Sequence, residues 1–89
     1  MRHARPDALD QLEPLLVSLR ALGVLKEKTR GVFYKGGQAF LHFHEDPEGL
    51  FADIRAGKDF DRHRVSTAKE RAAFLKVART RLQDSAKRA

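Results

Sequence analysis

The chain has 89 residues, a net charge of +6 at pH 7 and no cysteine, with 42% hydrophobic and 34% charged residues. Such a length supports one hydrophobic core, and this composition is typical of a folded protein and not of a disordered one. Without cysteine, the chain forms no disulfide and has no thiolate chemistry. Residues 1–7 are polar and basic, and no apolar run of about 18 residues occurs, so we expect neither a signal peptide nor a membrane span. We therefore predict a single-domain cytoplasmic protein that makes no membrane contact.

The first predicted element is an amphipathic helix from residue 7 or 10 to residue 22. Its leucines recur at helical spacing and form one apolar stripe: Leu9, Leu12, Leu15, Leu16, Leu19 and Leu22. Asp10 and Glu13 have the spacing of a capping box, which places Pro14 in the first turn, where proline is tolerated. Gly23 is expected to end the helix.

The middle of the chain changes to a period of two and predicts an antiparallel meander of four strands. Residues 31–35 and 38–44 are joined by Gly36 and Gly37, a pair suited to the positive φ angles of a tight hairpin. Turns at residues 45–49 and 57–59 then separate two further strands, at residues 50–56 and 60–66.

A second helix is predicted from Ser66 or Thr67, which cap it together with Glu70, to about residue 83. Its apolar stripe consists of Phe74, Leu75, Ala78 and Leu82. The element order α-β-β-β-β-α predicts a two-layer α+β domain with both helices on one face of the sheet. Residues 1–6 and 85–89 are predicted to be disordered tails.

The register of the hairpin predicts which side chains share a face of the sheet. A two-residue loop pairs Phe33 with Phe40 and Val32 with Leu41. The side chains placed under the helices are then Val32, Tyr34, Ala39, Leu41, Phe43, Leu50, Ala52 and Ile54. In the fourth strand we expect Val65 to point inward, which pairs Asp53 with Arg64 on the other face.

That other face is predicted to be a binding surface. It combines aromatic, imidazole and charged side chains: Phe33, Phe40, His42, Phe51, Asp53, Arg55 and Arg64. An exposed aromatic cluster indicates a partner, so we favour a non-enzymatic interaction module that binds another protein or a second copy of itself. Single-stranded nucleic acid is an alternative, because aromatic rings stack on bases and arginines contact phosphates.

The location of the positive charge argues against strong nucleic-acid binding. Residues 31–66 have five basic and six acidic side chains, whereas residues 67–89 have seven basic and two acidic ones. The cations and the aromatic residues thus belong to different segments. We predict only weak, sequence-independent binding that decreases steeply with salt.

A metal site is the second alternative. His42 and His44 alternate along one predicted strand, so both imidazoles point to the same side. Asp53 on the neighbouring strand, or Asp46 at the turn, adds a carboxylate, and this set suits zinc, nickel or ferrous iron. No catalytic residue is predicted, because the serines lie in or beside helices without a nucleophile elbow.

Residues 40–46 (Phe-Leu-His-Phe-His-Glu-Asp) are followed by residues 49–53 (Gly-Leu-Phe-Ala-Asp). This pair of segments resembles small bacterial proteins of unknown function. The resemblance extends from the hairpin to the last helix and implies a bacterial source and a stand-alone domain. It implies no catalytic residue.

Overall fold

The computed structural model describes residues 2–88, and the side-chain surroundings of residues 2–83. The elements in chain order are β1 (Arg2–His3), α1 (Pro6–Ala21), β2 (Lys26–Thr29), β3 (Val32–Lys35), β4 (Gln38–Asp46), β5 (Gly49–Ala56), β6 (Asp59–Arg64) and α2 (Ala68–Arg88). The predicted α+β fold with two helices and an antiparallel sheet is confirmed. The described chain has six strands, however, and not four. The sheet order is β2-β3-β4-β5-β6, and β1 pairs with β4.

The two additional strands have no alternation of apolar residues. β2 has the sequence Lys-Glu-Lys-Thr and lies at an edge of the sheet, where charged residues prevent pairing with other chains. β1 contains only two residues, Arg2 and His3, which pair with Glu45 and His44. Residues 2–5, predicted as part of a disordered tail, are therefore held by the sheet and lead directly into α1.

Helix α2 continues to Arg88, within the segment for which a C-terminal tail is predicted. The remaining residues of the two predicted tails, Met1 and Ala89, lie outside the described residues.

Helix α1 begins at Pro6, four residues before the predicted capping box. Proline suits the first turn of a helix, because the N–H that it lacks would have no partner there. Asp10 and Glu13 therefore lie inside the helix, where both carboxylates pair with Arg30. The capping box is wrong, and Pro14 lies in the helix interior. The leucine stripe is confirmed by its buried members: Leu9, Leu12, Leu15, Leu16 and Leu19.

The start of α2 is confirmed as a capping box. The backbone N–H of Glu70 donates to Thr67 Oγ1 at 3.1 Å, and the N–H of Thr67 donates to Glu70 Oε1 at 3.0 Å. The apolar stripe that follows is buried at Phe74, Ala78 and Leu82. Residues of both helices share one core cluster with inward side chains of the sheet, so both helices cover the same face.

The predicted hairpin at Gly36 and Gly37 is confirmed. The φ angles of these glycines are 57° and 85°, as a tight two-residue turn requires, and Lys35 pairs with Gln38.

Beyond the pair of Tyr34 with Ala39, the predicted pairing of β3 with β4 is wrong. The register shifts by one residue between Phe33 and Tyr34, so that Phe33 pairs with Leu41 and not with Phe40. Phe40 is the extra residue of a β-bulge on β4. Since a shift of one residue exchanges the two faces of a strand, the bulge reverses the predicted faces of β3.

The bulge determines which side chains of β3 and of the start of β4 are buried. Phe33 and Phe40, predicted for the outer binding surface, are only 1% and 5% exposed and belong to the core. Val32, Tyr34 and Ala39, predicted for the core, are half-buried. The predicted inward residues of the next two strands are confirmed, namely Leu41, Phe43, Leu50, Ala52 and Ile54.

The predicted inward orientation of Val65 is confirmed, because this side chain is fully buried. The predicted register between β5 and β6 is wrong by two residues, since Asp53 pairs with Arg62 and Arg64 pairs with Phe51. The turn before β6 contains only residues 57 and 58, one fewer than predicted. A shift of two residues keeps each side chain on the same face of the strand.

Candidate functional site

The sheet face opposite the helices is here called the outer face. In the described chain, strand alternation and pairing place these side chains on it: Tyr34, His42, His44, Phe51, Asp53, Arg55, Phe60, Arg62 and Arg64. Five of the seven residues predicted for a partner surface are among them. Phe33 and Phe40, the other two, lie in the core on the opposite side.

Three imidazoles meet near one end of β4 and are here called the histidine cluster. His3 on β1 lies directly opposite His44, and His42 lies two residues earlier on the same strand as His44. One nitrogen from each of the three rings can be chosen so that all three atoms lie within 4.8 Å of one another. Nδ1 of His42 is 3.0 Å from Nε2 of His44. The predicted His42 and His44 pair is therefore brought together, and a third histidine joins it.

Asp53 connects the histidine cluster to β6. Its Oδ2 atom lies 3.1 Å from Nε2 of His44, and Arg62 donates to both carboxylate oxygens at 2.8 and 2.9 Å. Asp53 is 6% exposed and is the only buried charged residue among those that the structure describes. Since a buried carboxylate is stable only when it is paired, Arg62 is the residue that keeps Asp53 ionised at this position.

The protonation states of these groups follow from burial and from their neighbours. Burial lowers the pKa of His42, and the neighbouring His44 lowers it further. Burial also lowers the pKa of His44, and the Asp53 carboxylate opposes this effect without cancelling it. For Asp53, burial raises the pKa, but the hydrogen-bonded Arg62 guanidinium reverses the effect and leaves a lowered pKa. At neutral pH His42 and His44 are therefore uncharged and Asp53 is ionised.

We expect the metal-free protein to lose stability as the pH falls from about 7.5 to about 5.5. His42 and His44 have lower pKa values in the folded chain than in the unfolded chain, so proton uptake below about pH 6.5 favours unfolding. Carboxyl groups stay ionised in this window and add little to the change. Urea unfolding in EDTA at the two pH values measures the effect. The His42→Gln, His44→Gln double variant should lose most of it, and an unchanged pH dependence in that variant would contradict the assignment.

Two distances at this site, from His42 to His44 and from His44 to Asp53, fit the coordination shell of a small metal ion. Tetrahedral Zn²⁺ has ligand bonds of about 2.0–2.1 Å, which places neighbouring ligand atoms about 3.3 Å apart. The separations of 3.0 Å from His42 to His44 and 3.1 Å from His44 to Asp53 are close to this value. Nδ1 of His44 is buried without a hydrogen-bond partner among the described residues.

Two members of this site, His3 and Arg62, were missed by the sequence reasoning. His3 is remote from the other histidines in the chain, and no periodic pattern marks the two-residue strand that brings it there. Arg62 was missed because the predicted register assigned its place opposite Asp53 to Arg64. The exact length of the turn before β6 is the signal that would identify Arg62 as the partner of Asp53.

A second set of side chains surrounds the histidine cluster on the outer face. The guanidinium groups of Arg55 and Arg64 lie over the rings of Phe60 and Phe51, with their Cζ atoms 4.8 and 5.7 Å from the ring centroids. At the opposite edge, the Lys28 ammonium lies 4.2 Å from the centroid of the Tyr34 ring. Such cation–π pairs hold positively charged groups against the sheet surface.

No protein-family model matches the chain, and comparisons with curated proteins and with solved structures also give no match. The resemblance of residues 40–46 and 49–53 to small bacterial proteins therefore stays a prediction. Within residues 2–88, neither helix combines the length and the apolar character needed to cross a membrane.

Proposed function

We propose that this domain binds a divalent transition-metal ion, best matched by Zn²⁺, through His3, His42 and His44. The observation that supports the proposal is the convergence of three imidazoles from two paired strands, with ligand atoms within 4.8 Å of one another. A pair of histidines on a single strand is a common surface pattern. A third histidine placed by a separate strand, beside a buried carboxylate, is a far more specific arrangement.

The chemistry of the cluster favours zinc and its neighbours over calcium or magnesium. Imidazole nitrogen is a good ligand for Zn²⁺, Ni²⁺ and Fe²⁺, whereas Ca²⁺ and Mg²⁺ prefer sets of oxygen ligands. Oδ2 of Asp53 lies 3.1 Å from Nε2 of His44 and offers a fourth ligand, while Arg62 holds the carboxylate in place. Four ligands of this kind complete a tetrahedral site.

Metal binding would also tie the N-terminal strand to the rest of the sheet. β1 contributes only two residue pairs to β4, and its side chains are exposed. A bound ion adds a link between His3 and the longest strand of the sheet. Because a ligand that binds only the folded state stabilises it, Zn²⁺ at about 100 times its Kd should add about 2.7 kcal/mol to the free energy of unfolding.

Isothermal titration calorimetry of tag-free protein with ZnCl₂ tests this proposal. We expect one equivalent to bind, and we expect His3→Gln to weaken binding by more than about tenfold. His3 is exposed on β1, so its replacement should leave the fold unchanged, which circular dichroism verifies. The His42→Ala, His44→Ala variant should abolish binding.

His63 provides the matched control. Its ring packs against Phe74, at 5.5 Å between centroids, on the helix side of the sheet. His63→Gln is therefore expected to bind Zn²⁺ like the unmodified protein. Equal loss of binding in His63→Gln and His3→Gln, or no binding by the unmodified protein at micromolar concentrations, would overturn the proposal.

A further inference from the structure

We propose that the outer face is also a binding site for single-stranded nucleic acid. Bases would stack on its aromatic and guanidinium groups, and phosphates would contact its arginine and lysine side chains. The proposal concerns residues outside the histidine cluster and does not depend on a bound metal. An open antiparallel sheet is a suitable platform, because unpaired bases lie flat against rings and guanidinium planes.

The first argument is the separation of charge between the two faces of the sheet. Residues 31–66 have five basic and six acidic side chains, which gives this segment a net charge of −1. In the described chain, strand pairing nevertheless places five cations on the outer face: Lys26, Lys28, Arg55, Arg62 and Arg64. The only outward carboxylates on the described strands are Asp53 and, at the end of β4, Asp46. The outer face therefore has an excess of positive charge, although Arg62 is paired with Asp53 and Nε of Arg64 lies 3.6 Å from Oε2 of Glu70.

Other acidic side chains of residues 31–66 pair with arginines on the helix side of the sheet. Glu45 accepts a hydrogen bond from Nε of Arg5 at 2.6 Å, and Asp61 lies 3.2 Å from Arg81 of α2. These carboxylates do not neutralise the outer face. The expectation of weak nucleic-acid binding was based on cations and aromatic residues that belong to different segments of the chain. Strand alternation nevertheless places cations and aromatic rings together on the outer face.

The second argument is the pairing of each aromatic ring with a cation. Arg55 lies opposite Phe60, and Phe51 lies opposite Arg64, on neighbouring strands β5 and β6. The two pairs are four residues apart along β5, or about 13 Å. Each pair combines a flat surface for a base with a positive charge for a phosphate. This combination, repeated along a strand, is what a stacking platform requires.

The same charges argue against a second copy of the chain as the partner on this face. A symmetric dimer places the same patch of both subunits together, so its like charges would repel. The expectation of self-association also relied on exposed Phe33 and Phe40, which are buried. A strong negative charge combined with flat aromatic groups is therefore the chemistry that complements the outer face.

Fluorescence anisotropy with labelled single-stranded DNA of about 15 nucleotides tests the proposal, in EDTA and over a range of salt concentrations. The Arg64→Gln, Lys28→Gln variant should weaken binding and reduce the slope of log Kd against log salt by about 1.4, or about 0.7 for each lost cation. The Phe51→Leu, Phe60→Leu variant keeps apolar volume but removes the rings. It should weaken binding about tenfold at an unchanged slope.

The matched control removes two cations from α2 instead. Lys76 and Arg79 are exposed on the helix side, and Lys76→Gln with Arg79→Gln makes the same change of charge. This variant should bind the single strand at least three times more tightly than the outer-face charge variant, with thermal melting confirming that each variant is folded. Equal losses in both charge variants, equal affinity for duplex DNA, or binding only to anionic phospholipid vesicles would overturn the proposal. Because EDTA keeps the protein metal-free in this assay, neither outcome bears on the metal proposal.

Discussion

Replacing Phe33 by alanine is expected to lower the free energy of unfolding by about 3–5 kcal/mol. The side chain is 1% exposed and lies in the core cluster, because the bulge at Phe40 pairs Phe33 with Leu41. Truncating a buried phenylalanine removes its apolar contacts and leaves a cavity that the surrounding side chains fill only in part. The uninterrupted register expected from the two-residue turn would instead leave Phe33 on the outer face. There, its loss would cost about 1 kcal/mol or less.

Tyr34→Ala is the matched control for this prediction. Tyr34 is the next residue on β3, is half-buried and lies on the outer face beside Lys28. Denaturant unfolding of both variants should show a much larger loss for Phe33→Ala than for Tyr34→Ala. Equal losses, or a larger loss for Tyr34→Ala, would show that β3 pairs in the uninterrupted register.

The second large effect is expected for Arg62→Met, which should cost about 3 kcal/mol. This substitution removes the two hydrogen bonds that hold the buried Asp53 carboxylate and leaves an uncompensated charge. We expect the lower end of the range for broken buried pairs, because the Arg62 side chain is itself 49% exposed. Methionine keeps the aliphatic length of the arginine, so the measured loss reports on the charge and not on packing.

Removing the charge of Asp53 should rescue this variant. In the Asp53→Asn, Arg62→Met double variant, no buried charge is left, so most of the lost stability should return. Urea unfolding of the two single variants and the double variant gives the coupling energy. Additive losses from the two substitutions would show that the Asp53 and Arg62 side chains do not interact as the structure describes.

The elements that could be predicted from the sequence are those with a strong local signal. The leucine stripe of α1 and the capping box of Thr67 and Glu70 each depend on neighbouring residues of one helix. The Gly36 and Gly37 hairpin is equally local, because positive φ angles are favourable for glycine. For such elements, spacing and residue type determine the structure without knowledge of the rest of the fold.

The faces of the sheet could be predicted only in part. A bulge inserts one residue into a strand, and nothing in the residue types around Phe40 distinguishes a bulged strand from a regular one. The error was limited to β3 and the start of β4, since Leu41 and the residues of β5 were assigned to the correct face. The start of α1 was predicted at residue 7 or 10, because Pro6 and the pair of Asp10 and Glu13 both give a plausible first turn, and the structure places it at Pro6.

The candidate site depended on contacts between distant parts of the chain. His42 and His44 could be predicted as neighbours, because they belong to one strand. His3 could not, since β1 is too short to show any periodicity and is held only by its pairing with β4. Arg62 required the exact register of β6, which differs by two residues from the predicted one. Sequence patterns thus identified His42, His44 and Asp53, and tertiary pairing supplied His3 and Arg62.

The most direct test of the metal proposal is a titration of ¹⁵N-labelled protein with ZnCl₂, in which NMR detects the ring nitrogens of the four histidines. Direct coordination shifts the resonance of the ligating nitrogen, so we expect large changes for His3, His42 and His44 that are complete at one equivalent. The ring of His63, on the other face of the sheet, should be unaffected. Shifts confined to His3, equal shifts for all four histidines, or no shift at one equivalent would contradict a metal site formed by the histidine cluster.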